Sequence, residues 1–181
     1  MSLISSVFIA TSLDGFIARE DGSLDWLDAA NVSVPEGEDC GYVSFMNSVD
    51  ALVMGRNTYE KVSSFGQWPY ENKSVIVLSS RDLDIPENLK PTVEHSFESP
   101  DILCDRLSEK GFNRLYIDGG ITIQRFLNYG LINDLTITVI PVIIGTGKSL
   151  FGKLENDIKL KHTSTKAYDF GFVQSTYQVV K

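Results

Sequence analysis

"YIDGGITIQRFL", residues 116–127, contains the change of pattern that decides the fold. The letters "FNRLYI" at 112–117 are typical of a short buried strand, and the apolar residues of Ile123–Leu127 then follow helical spacing. Gly119 and Gly120 stand where the strand becomes a helix. Two adjacent glycines need an explanation there, because one glycine is enough to make such a turn.

Short apolar runs and amphipathic runs alternate along most of the chain. This alternation predicts a mostly parallel sheet with helices on both faces. The last third lacks helical patterns, which predicts a C-terminal antiparallel hairpin that turns near 169–171. The fold class is therefore α/β, with three layers and one mixed sheet. The predicted strands are 2–11, 50–55, 73–80, 92–97, 112–117, 134–144, 158–168 and 170–180, and the predicted helices are 42–48, 57–65, 99–111 and 120–130.

Residues 13–39 are predicted to form one long loop with Asp-Gly turns at 14–15 and 21–22. A loop of this length inside a compact domain is usually a functional flap or a disordered insert.

Composition excludes several functional classes. A length of 181 residues favours one domain over 1–181, and the net charge of −8 argues against nucleic acid or an anionic membrane as partner. The apolar runs are shorter than the roughly 20 residues of a membrane span, and no signal peptide is visible. Cys40 and Cys104 form no metal or redox spacing, and His95 and His162 stand apart from them. We expect a cytoplasmic protein with no metal site and with buried or half-buried thiols.

Three predicted strands are followed by residues suited to phosphate. In an open α/β sheet, ligands bind beyond the carboxyl ends of the strands, where glycine lets the backbone approach and a helix start offers N–H groups. Each of the three groups listed below also has a purely structural interpretation. The glycine pair is consistent with a plain tight turn, Asn57 with Glu60 resembles a capping box, and "LSSR" is consistent with a solvated loop. The three groups are Gly55 to Thr58, Ser79 to Arg81, and Gly119 with Gly120.

"GTGKSLF" at 145–151 is similar to the end of an ATP-binding P-loop. That motif needs glycine at the position of Val142 and a helix after the loop. Pro141 precedes the segment and strand-rich sequence follows it, so we reject the interpretation. Gly145 and Gly147 are expected to shape a loop that leaves an edge strand.

Five motifs follow one another along the chain: "IATSLDGFIA" (9–18), "VMGRNTYE" (53–60), "VLSS" (77–80), "IDGG" (117–120) and "FLNYGLINDLTITVIPVIIGTGKSLF" (126–151). Taken in this order, they resemble the motifs of dihydrofolate reductase-like proteins, and most closely those of the branch shared with the reductase domain of bacterial riboflavin biosynthesis. The resemblance extends from about residue 4 to the terminal hairpin. It implies an enzyme that binds NADPH across the carboxyl edge of the sheet and reduces a nitrogen heterocycle or a ribosyl group.

The resemblance also implies roles for individual residues. Trp26 would lie on the flap near the substrate, with a purely packing role as the alternative. The residues implied for the cofactor are Ala10 and Ile17 at the nicotinamide, Gly55, Arg56, Asn57 and Thr58 at the phosphates, Ser79, Ser80 and Arg81 at the adenosine end, and Gly119, Gly120, Ile121, Thr122 and Ile123 at the pyrophosphate.

Dihydrofolate reductase carries one buried acid at the start of its first helix. The nearest candidate is Asp39, as catalytic and substrate-binding residue, with Glu38 second, although either could be a first-turn acid favoured by the helix dipole. The riboflavin-pathway reductases usually place a basic residue where this chain has 16–18, "FIA", which weakens a ribosyl-phosphate substrate. No zinc-deaminase signature precedes the domain.

The resemblance therefore implies a stand-alone NADPH-dependent reductase for a small pterin-like or pyrimidine-like heterocycle, as a homodimer. Two alternatives stay open. One is the riboflavin-pathway 5-amino-6-(5-phosphoribosylamino)uracil reductase, and the other is an NADP-binding sensor module without catalysis.

Overall fold

Over residues 3–181, the computed structural model contains an eight-stranded sheet, a two-stranded ribbon and five helices. The helices are α1 (Asp25–Asn31), α2 (Tyr42–Ser48), α3 (Arg56–Ser63), α4 (Pro100–Glu109) and α5 (Gly120–Asn128). The strands are β1 (Ile4–Ser12), β2 (Phe16–Ala18), β3 (Ala51–Gly55), β4 (Ser74–Leu78), β5 (Val93–Ser96), β6 (Arg114–Asp118), β7 (Asp134–Ile140), β8 (Lys148–Ser149), β9 (Leu160–Ala167) and β10 (Val173–Val179).

The strand order of the large sheet is β5-β4-β3-β6-β1-β7-β10-β9. Neighbouring strands from β5 to β7 are parallel, whereas β10 runs antiparallel to both β7 and β9. The terminal hairpin turns where Tyr168 N–H donates to the carbonyl oxygen of Phe172 at 2.8 Å. The predicted α/β class, mixed sheet and C-terminal hairpin are confirmed.

The sheet has two helical layers, which we name after one helix in each. On the α5 face, α4 and α5 bury Leu103, Leu107 and Phe126 against the sheet. On the α2 face, Phe45 of α2 and Tyr59 of α3 pack into a second cluster. Phe126 is fully buried, and truncation of such a residue to alanine typically costs about 3–5 kcal/mol. Helical spacing in α5 thus produces the contact that fixes the helix to the sheet.

An aromatic cluster positions α2 over the central strands. The ring of Phe45 lies 4.8 Å from Phe8 of β1 and 5.0 Å from Tyr116 of β6, between ring centroids. Phe8 also lies 5.9 Å from Tyr42 at the first turn of α2. Aromatic pairs at these separations add roughly 0.5–1.5 kcal/mol each beyond their buried area. The helix α2 is therefore held over the middle of β1 and over β6.

The predicted loop over 13–39 is wrong in part, because it contains β2 and α1. The three residues of β2 pair with β8, and α1 has seven residues of which Trp26 is the buried one. Two further expectations need correction. The predicted strand over 134–144 ends at Ile140, because Pro141 follows, and β7 is an interior strand rather than an edge. The glycine loop before Lys148 thus leaves the middle of the sheet.

Candidate cofactor and substrate site

The chain reverses its winding between two adjacent strands. Met54 near the end of β3 lies opposite Asp118 at the end of β6, and the two strands are parallel. The helices that follow these strands leave on opposite sides of the sheet. The helix after β3, α3, packs beside α2, whereas the helix after β6, α5, packs beside α4. Such a topological switch point opens a crevice at the carboxyl edge, which is where open α/β sheets bind ligands. The three strands whose following residues the sequence analysis assigned to phosphate, β4, β3 and β6, are neighbours in the sheet in this order.

The starts of α3 and α5 approach each other closely because both helices begin after glycine. A Cβ on Gly55 would lie 2.9 Å from Thr122 Oγ1, and a Cβ on Gly119 would collide with Thr58 Oγ1. Gly119 also has φ of 89°, in the region that residues other than glycine rarely adopt. The missing side chains of Gly55 and Gly119 let the two helix starts interlock.

Gly120 serves a purpose different from the predicted one. The sequence suggested that phosphate rests where a Cβ would intrude, but protein atoms fill that space. A Cβ on Gly120 would lie 2.9 Å from Ile17 Cδ1 and 3.2 Å from the Ser149 carbonyl oxygen. The absence of a side chain at Gly120 therefore lets the β2–β8 ribbon pack against the start of α5, and Ile17 of β2 makes this contact.

Both helix starts present backbone donors at the crevice. Within the described residues, no side chain caps the N-terminus of either helix. The first N–H groups of an α-helix have no partner inside the helix and form its positive end, which suits an anion. These groups belong to Arg56, Asn57 and Thr58 in α3 and to Gly120, Ile121 and Thr122 in α5.

The charged and hydroxyl residues near β3 and β4 are partly engaged within the chain. Arg56 Nε lies 2.6 Å from Glu60 Oε1, so Glu60 forms an ion pair instead of the capping box with Asn57. Ser79 Oγ donates to the carbonyl oxygen of Arg81 at 2.8 Å, which folds the Ser79–Arg81 loop. Ser80 and Arg81 are exposed at its tip.

Asp118 is an acidic residue in the crevice that the sequence analysis did not single out. It ends β6, and its Oδ1 accepts the N–H of Gly119 at 2.8 Å. Burial raises the pKa of Asp118 to about 6. The hydrogen bond from the Gly119 N–H lowers this pKa, but by less than burial raises it. Among residues 3–181, no lysine or arginine forms an ion pair with it. An acid directly before the glycine pair at a strand end was the available signal.

The surroundings of Asp118 are phenolic. Tyr116 is buried on the same strand and donates its hydroxyl to the carbonyl oxygen of Phe8 at 2.9 Å. Burial, with a smaller effect from the Asp118 charge, raises the pKa of Tyr42 to about 12, and burial likewise raises the pKa of Tyr70. These tyrosines stay neutral at physiological pH, so Asp118 is the group in this cluster that titrates there.

Asp39 lies at the start of α2, as predicted, but its carboxylate binds the helix itself. Oδ1 accepts the N–H of Gly41 and Oδ2 accepts the N–H of Val43, both at 2.8 Å, and the residue is exposed. The two N–H groups lower the pKa of Asp39. Glu38 binds locally too, because its Oε1 accepts the N–H of Cys40 at 2.7 Å. This geometry corresponds to the first-turn role left open by the sequence and speaks against proton donation by Asp39.

Trp26 belongs to an apolar cluster under the flap. It packs with Ile140 and Phe172, and Ala10 of β1 borders the same cluster. The indole Nε1–H is buried and has no hydrogen-bond partner in the part of the chain that the structure describes. Buried donors normally have a partner, so this orphan is a candidate contact for a ligand.

Other features carry less functional weight. A hollow of about 660 Å³ lies at the opposite edge of the sheet, beside Asp50, Ser74 and Phe112, away from the crevice.

Cys104 is buried and Cys40 is half-buried, both as free thiols, which confirms the prediction for the cysteines. The described residues contain no cluster of His, Cys, Asp or Glu that could hold a metal ion, and no helix long and apolar enough to cross a membrane.

The fold and the crevice together define a dihydrofolate reductase-like α/β protein. Residues 5–174 match the RibD C-terminal domain family, so the chain belongs to that family.

Relatives and solved structures agree with this assignment. The uncharacterized protein YwjB of Bacillus subtilis is 37% identical over 166 residues, which is 90% of both chains. The dihydrofolate reductase HdrB of Haloferax volcanii is 29% identical over 122 residues, 67% of this chain and 58% of that protein.

Two solved structures share the fold. A putative riboflavin biosynthesis protein from Shewanella sp. PV-4 is 41% identical, with a TM-score of 0.92 over 99% of this chain and 100% of that one. The dihydrofolate reductase of Enterococcus faecalis, complexed with NADP(H), is 18% identical, with a TM-score of 0.66 over 98% of this chain and 97% of that one.

The contact between helix starts predicts a specific coupling. Gly55 has φ of −83°, so alanine adds no backbone strain, but its Cβ would meet the buried, stiff side chain of Thr122. Gly55→Ala should lower the free energy of unfolding by about 1–3 kcal/mol. The double variant with Thr122→Ala should lose at least ~0.5 kcal/mol less stability than the sum of the losses of the two single variants. Denaturant unfolding measures all three variants.

Thr122→Val is the matched control, because valine keeps the volume that alanine removes. Combined with Gly55→Ala, it should give no relief. Additive losses with Thr122→Ala would show that the two helix starts do not touch.

The pKa of Asp118 predicts a pH-dependent stability. In the unfolded chain an aspartate has a pKa of about 3.9, so between that value and about 6 the folded state holds the extra proton. The stability that Asp118 contributes is therefore complete below pH ~4 and is lost as pH rises through the folded pKa. Asp118→Asn removes this titration, so the variant should gain stability relative to wild type from pH 4 to 7.

Unfolding free energies of both proteins across this range, with a carboxyl NMR titration of Asp118, give the comparison. A constant difference between variant and wild type would contradict the raised pKa.

Proposed function

We propose that this protein is an NADPH-dependent reductase that transfers hydride to a small nitrogen heterocycle of the pyrimidine or pterin class. The observation that carries the proposal is the pair of glycine-started helices that converge at the switch point. Two neighbouring helix N-termini suit two linked phosphates, as in a pyrophosphate. Membership of the RibD C-terminal domain family and the NADP(H) complex of a dihydrofolate reductase with the same fold support the same class.

The crevice fits the parts of the cofactor in order. The starts of α3 and α5 would hold the pyrophosphate, and the Ser79–Arg81 loop would receive the adenosine end. Phe97 lies beyond the end of neighbouring β5 and is 64% exposed, which offers a ring face to adenine. Ala10 and Ile17 would flank the nicotinamide. When bound, NADPH supplies the hydride, and the protein supplies alignment and electrostatics.

The substrate would lie on the α2 face of the crevice. Tyr42 and Phe8 offer aromatic surface for a flat ring, and the unpartnered indole N–H of Trp26 offers a donor from the flap. Reduction of a C=N bond also needs a proton on nitrogen. Asp118, with a pKa of about 6, holds such a proton in an appreciable fraction of molecules near neutral pH. We assign the proton-managing role to Asp118 rather than to Asp39.

One observation favours the riboflavin-pathway reductase as second candidate. The segment 16–18 lacks the basic residue of those enzymes, but Lys148 of β8 lies opposite Ala18 across the ribbon. Its exposed ammonium group is available to a ribosyl phosphate. Turnover of pyrimidines with and without a ribosyl phosphate, in wild type and Lys148→Ala, separates the two substrate classes.

The test of the proposed function is NADPH oxidation against a panel of pterins and aminopyrimidines. Turnover on a member of the panel supports a reductase. Tight NADPH binding with no turnover on any member would favour the non-catalytic sensor, and no binding would overturn the proposal.

Cofactor choice gives a quantitative prediction. NADPH carries a ribose phosphate that NADH lacks, and arginine donates to phosphate in pairs. Arg56 and Arg81 lie at the end of the crevice proposed for the adenosine ribose. We therefore expect a preference for NADPH of at least about tenfold, because each charge-assisted hydrogen bond contributes about 1.5–3 kcal/mol. The Arg56→Ala, Arg81→Ala double variant should lose most of it. Equilibrium titrations with both cofactors measure the preference.

Two controls sharpen this test. Glu60→Gln releases Arg56 from its ion pair and should increase the preference, whereas Arg125→Ala in the last turn of α5 should leave it unchanged. A preference for NADH would show that the adenosine end lies elsewhere.

The two acids give opposite predictions for catalysis. Asp118→Asn should lower kcat/KM by about 10²-fold or more, the usual scale of acid–base help, with little change in NADPH affinity. Asp39→Asn, which keeps one acceptor oxygen for the cap of α2, should change kcat/KM by less than about threefold while lowering stability. Steady-state kinetics of both variants decide the assignment, and the reverse pattern would return the role to Asp39.

A further inference from the structure

A side chain of the terminal hairpin reaches the segment that leads into α2. Gln174 of β10 lies opposite Thr138 of β7 in the sheet. Its Nε2 donates to the carbonyl oxygen of Cys40 and to Thr138 Oγ1, both at 2.9 Å. The two N–H groups of this amide are thus both used, and one of them joins the hairpin to the chain directly before α2.

The segment 38–43 has hydrogen bonds of its own, which shape it but do not fix its position. Three N–H groups of the segment bind carboxylates of the same segment, that of Cys40 to Glu38 and those of Gly41 and Val43 to Asp39. These bonds move with the segment. Among residues 3–181, the only hydrogen bond from the backbone of 38–43 to the sheet is the one that Cys40 accepts from Gln174.

An ion pair also joins this segment to the hairpin, but it is a weak anchor. Lys166 Nζ of β9 lies 3.9 Å from Glu38 Oε2, and the two side chains are 62% and 30% exposed. Exposed pairs of this kind contribute little, because water screens the charges and both side chains lose freedom. The amide of Gln174 is therefore the main polar contact that holds the segment on the sheet.

The turn that Gln174 holds is strained. Tyr42 N–H donates to the Asp39 carbonyl oxygen at 3.1 Å, and the two residues between them, Cys40 and Gly41, have φ of 54° and 83°. Positive φ at both central positions defines a type I′ turn, in which Gly, Asn and Asp are the usual residues. Cysteine is unfavourable there, because its Cβ crowds the backbone. The Gln174 hydrogen bond acts on the carbonyl of this strained residue and so opposes relaxation of the turn.

The turn determines where Tyr42 lies. Tyr42 is the last residue of the turn and the first of α2, and its ring is 5.9 Å from Phe8 between centroids. The other end of α2 is fixed separately, since Arg114 Nη1 donates to Ser48 Oγ at 2.9 Å. Release of the turn would therefore displace Tyr42 more than it displaces the end of the helix.

We propose that Gln174 is a positioning residue for the substrate. By binding the Cys40 carbonyl oxygen, its amide holds the turn before α2 and keeps the ring of Tyr42 beside Phe8, where the two rings receive a flat heterocycle. The inference rests on the proposed function for what Tyr42 contacts. The position of Tyr42 itself can be measured without cofactor or substrate.

Gln174→Met tests the proposal, because methionine keeps the length of the side chain without charge and has no N–H to donate. The nuclear Overhauser effect (NOE) between the rings of Phe8 and Tyr42, expected in wild type, should be lost. KM for the heterocycle should rise about tenfold or more, since small misplacements of a contact group can cost up to about 10²-fold. We expect kcat to change by less than about threefold, as for loss of a contact made equally in the ground state and the transition state. NADPH affinity should stay unchanged.

Thr138→Val is the first control. It removes the other acceptor of the Gln174 amide and leaves the hydrogen bond to Cys40 in place. This variant should keep the ring NOE and the KM of wild type, even if its stability falls.

A rescue experiment separates positioning from a general loss of structure. Glycine adopts a φ of 54° without strain, so Cys40→Gly in the Gln174→Met background should restore the NOE and bring KM within about threefold of wild type. The matched variant is Cys40→Ala in the same background. It also removes the thiol but keeps the Cβ, and should restore neither quantity.

Three results would each overturn the proposal: a retained NOE in Gln174→Met, loss of the NOE in Thr138→Val, and equal rescue by alanine and glycine at position 40. If wild type shows the NOE but turns over no heterocycle, the proposed function fails, and the NOEs of the same variants still decide whether Gln174 positions Tyr42.

Discussion

The close approach of two helix starts constrains the whole carboxyl edge of this sheet. α3 and α5 begin on adjacent strands and leave on opposite faces, so their first turns must pass each other at the strand ends. The passage is possible because Gly55 and Gly119 lack side chains where Thr122 and Thr58 lie. The same interlock brings two sets of backbone N–H groups and two positive helix ends to one crevice. The crevice therefore offers two adjacent sets of backbone donors to a ligand.

Sequence patterns predicted the parts of this arrangement that depend on local order. Strand and helix segments differ in their hydrophobic patterns, so their alternation and the mixed sheet could be predicted from the residues alone. The roles of Gly120 could not, because Ile17 and Ser149 come to it from remote segments. β2 and α1 escaped detection for a related reason. A three-residue strand exists only through its distant partner β8, and α1 is too short for its single buried residue to show a period.

The two aspartates of the site show why an acid cannot be assigned a role from spacing alone. Asp39 lies at the predicted helix start, where two N–H groups stabilise its charge and lower its pKa. Asp118 ends a buried strand among tyrosines, where loss of water destabilises its charge and raises its pKa. The same side chain thus keeps its charge to lower pH at a helix start and keeps its proton to higher pH at a buried strand end. The sequence offered Asp39 as a first-turn acid and placed Asp118 directly before the glycine pair, but only the folded backbone decides which N–H groups reach each carboxylate.

The β2–β8 ribbon has a consequence for how the site comes into being. Asp14 accepts the N–H groups of Ile144 and Gly145 at 3.2 and 2.8 Å, across 130 and 131 residues of chain, and Leu150 N–H donates to the Gly15 carbonyl oxygen beside them. Contacts between such distant segments close large loops and form slowly. The ribbon packs against Gly120, so this side of the crevice is complete only after the two distant segments have met. A ligand that needs the ribbon in place beside the start of α5 therefore binds the native state, and its binding free energy adds to the stability of that state.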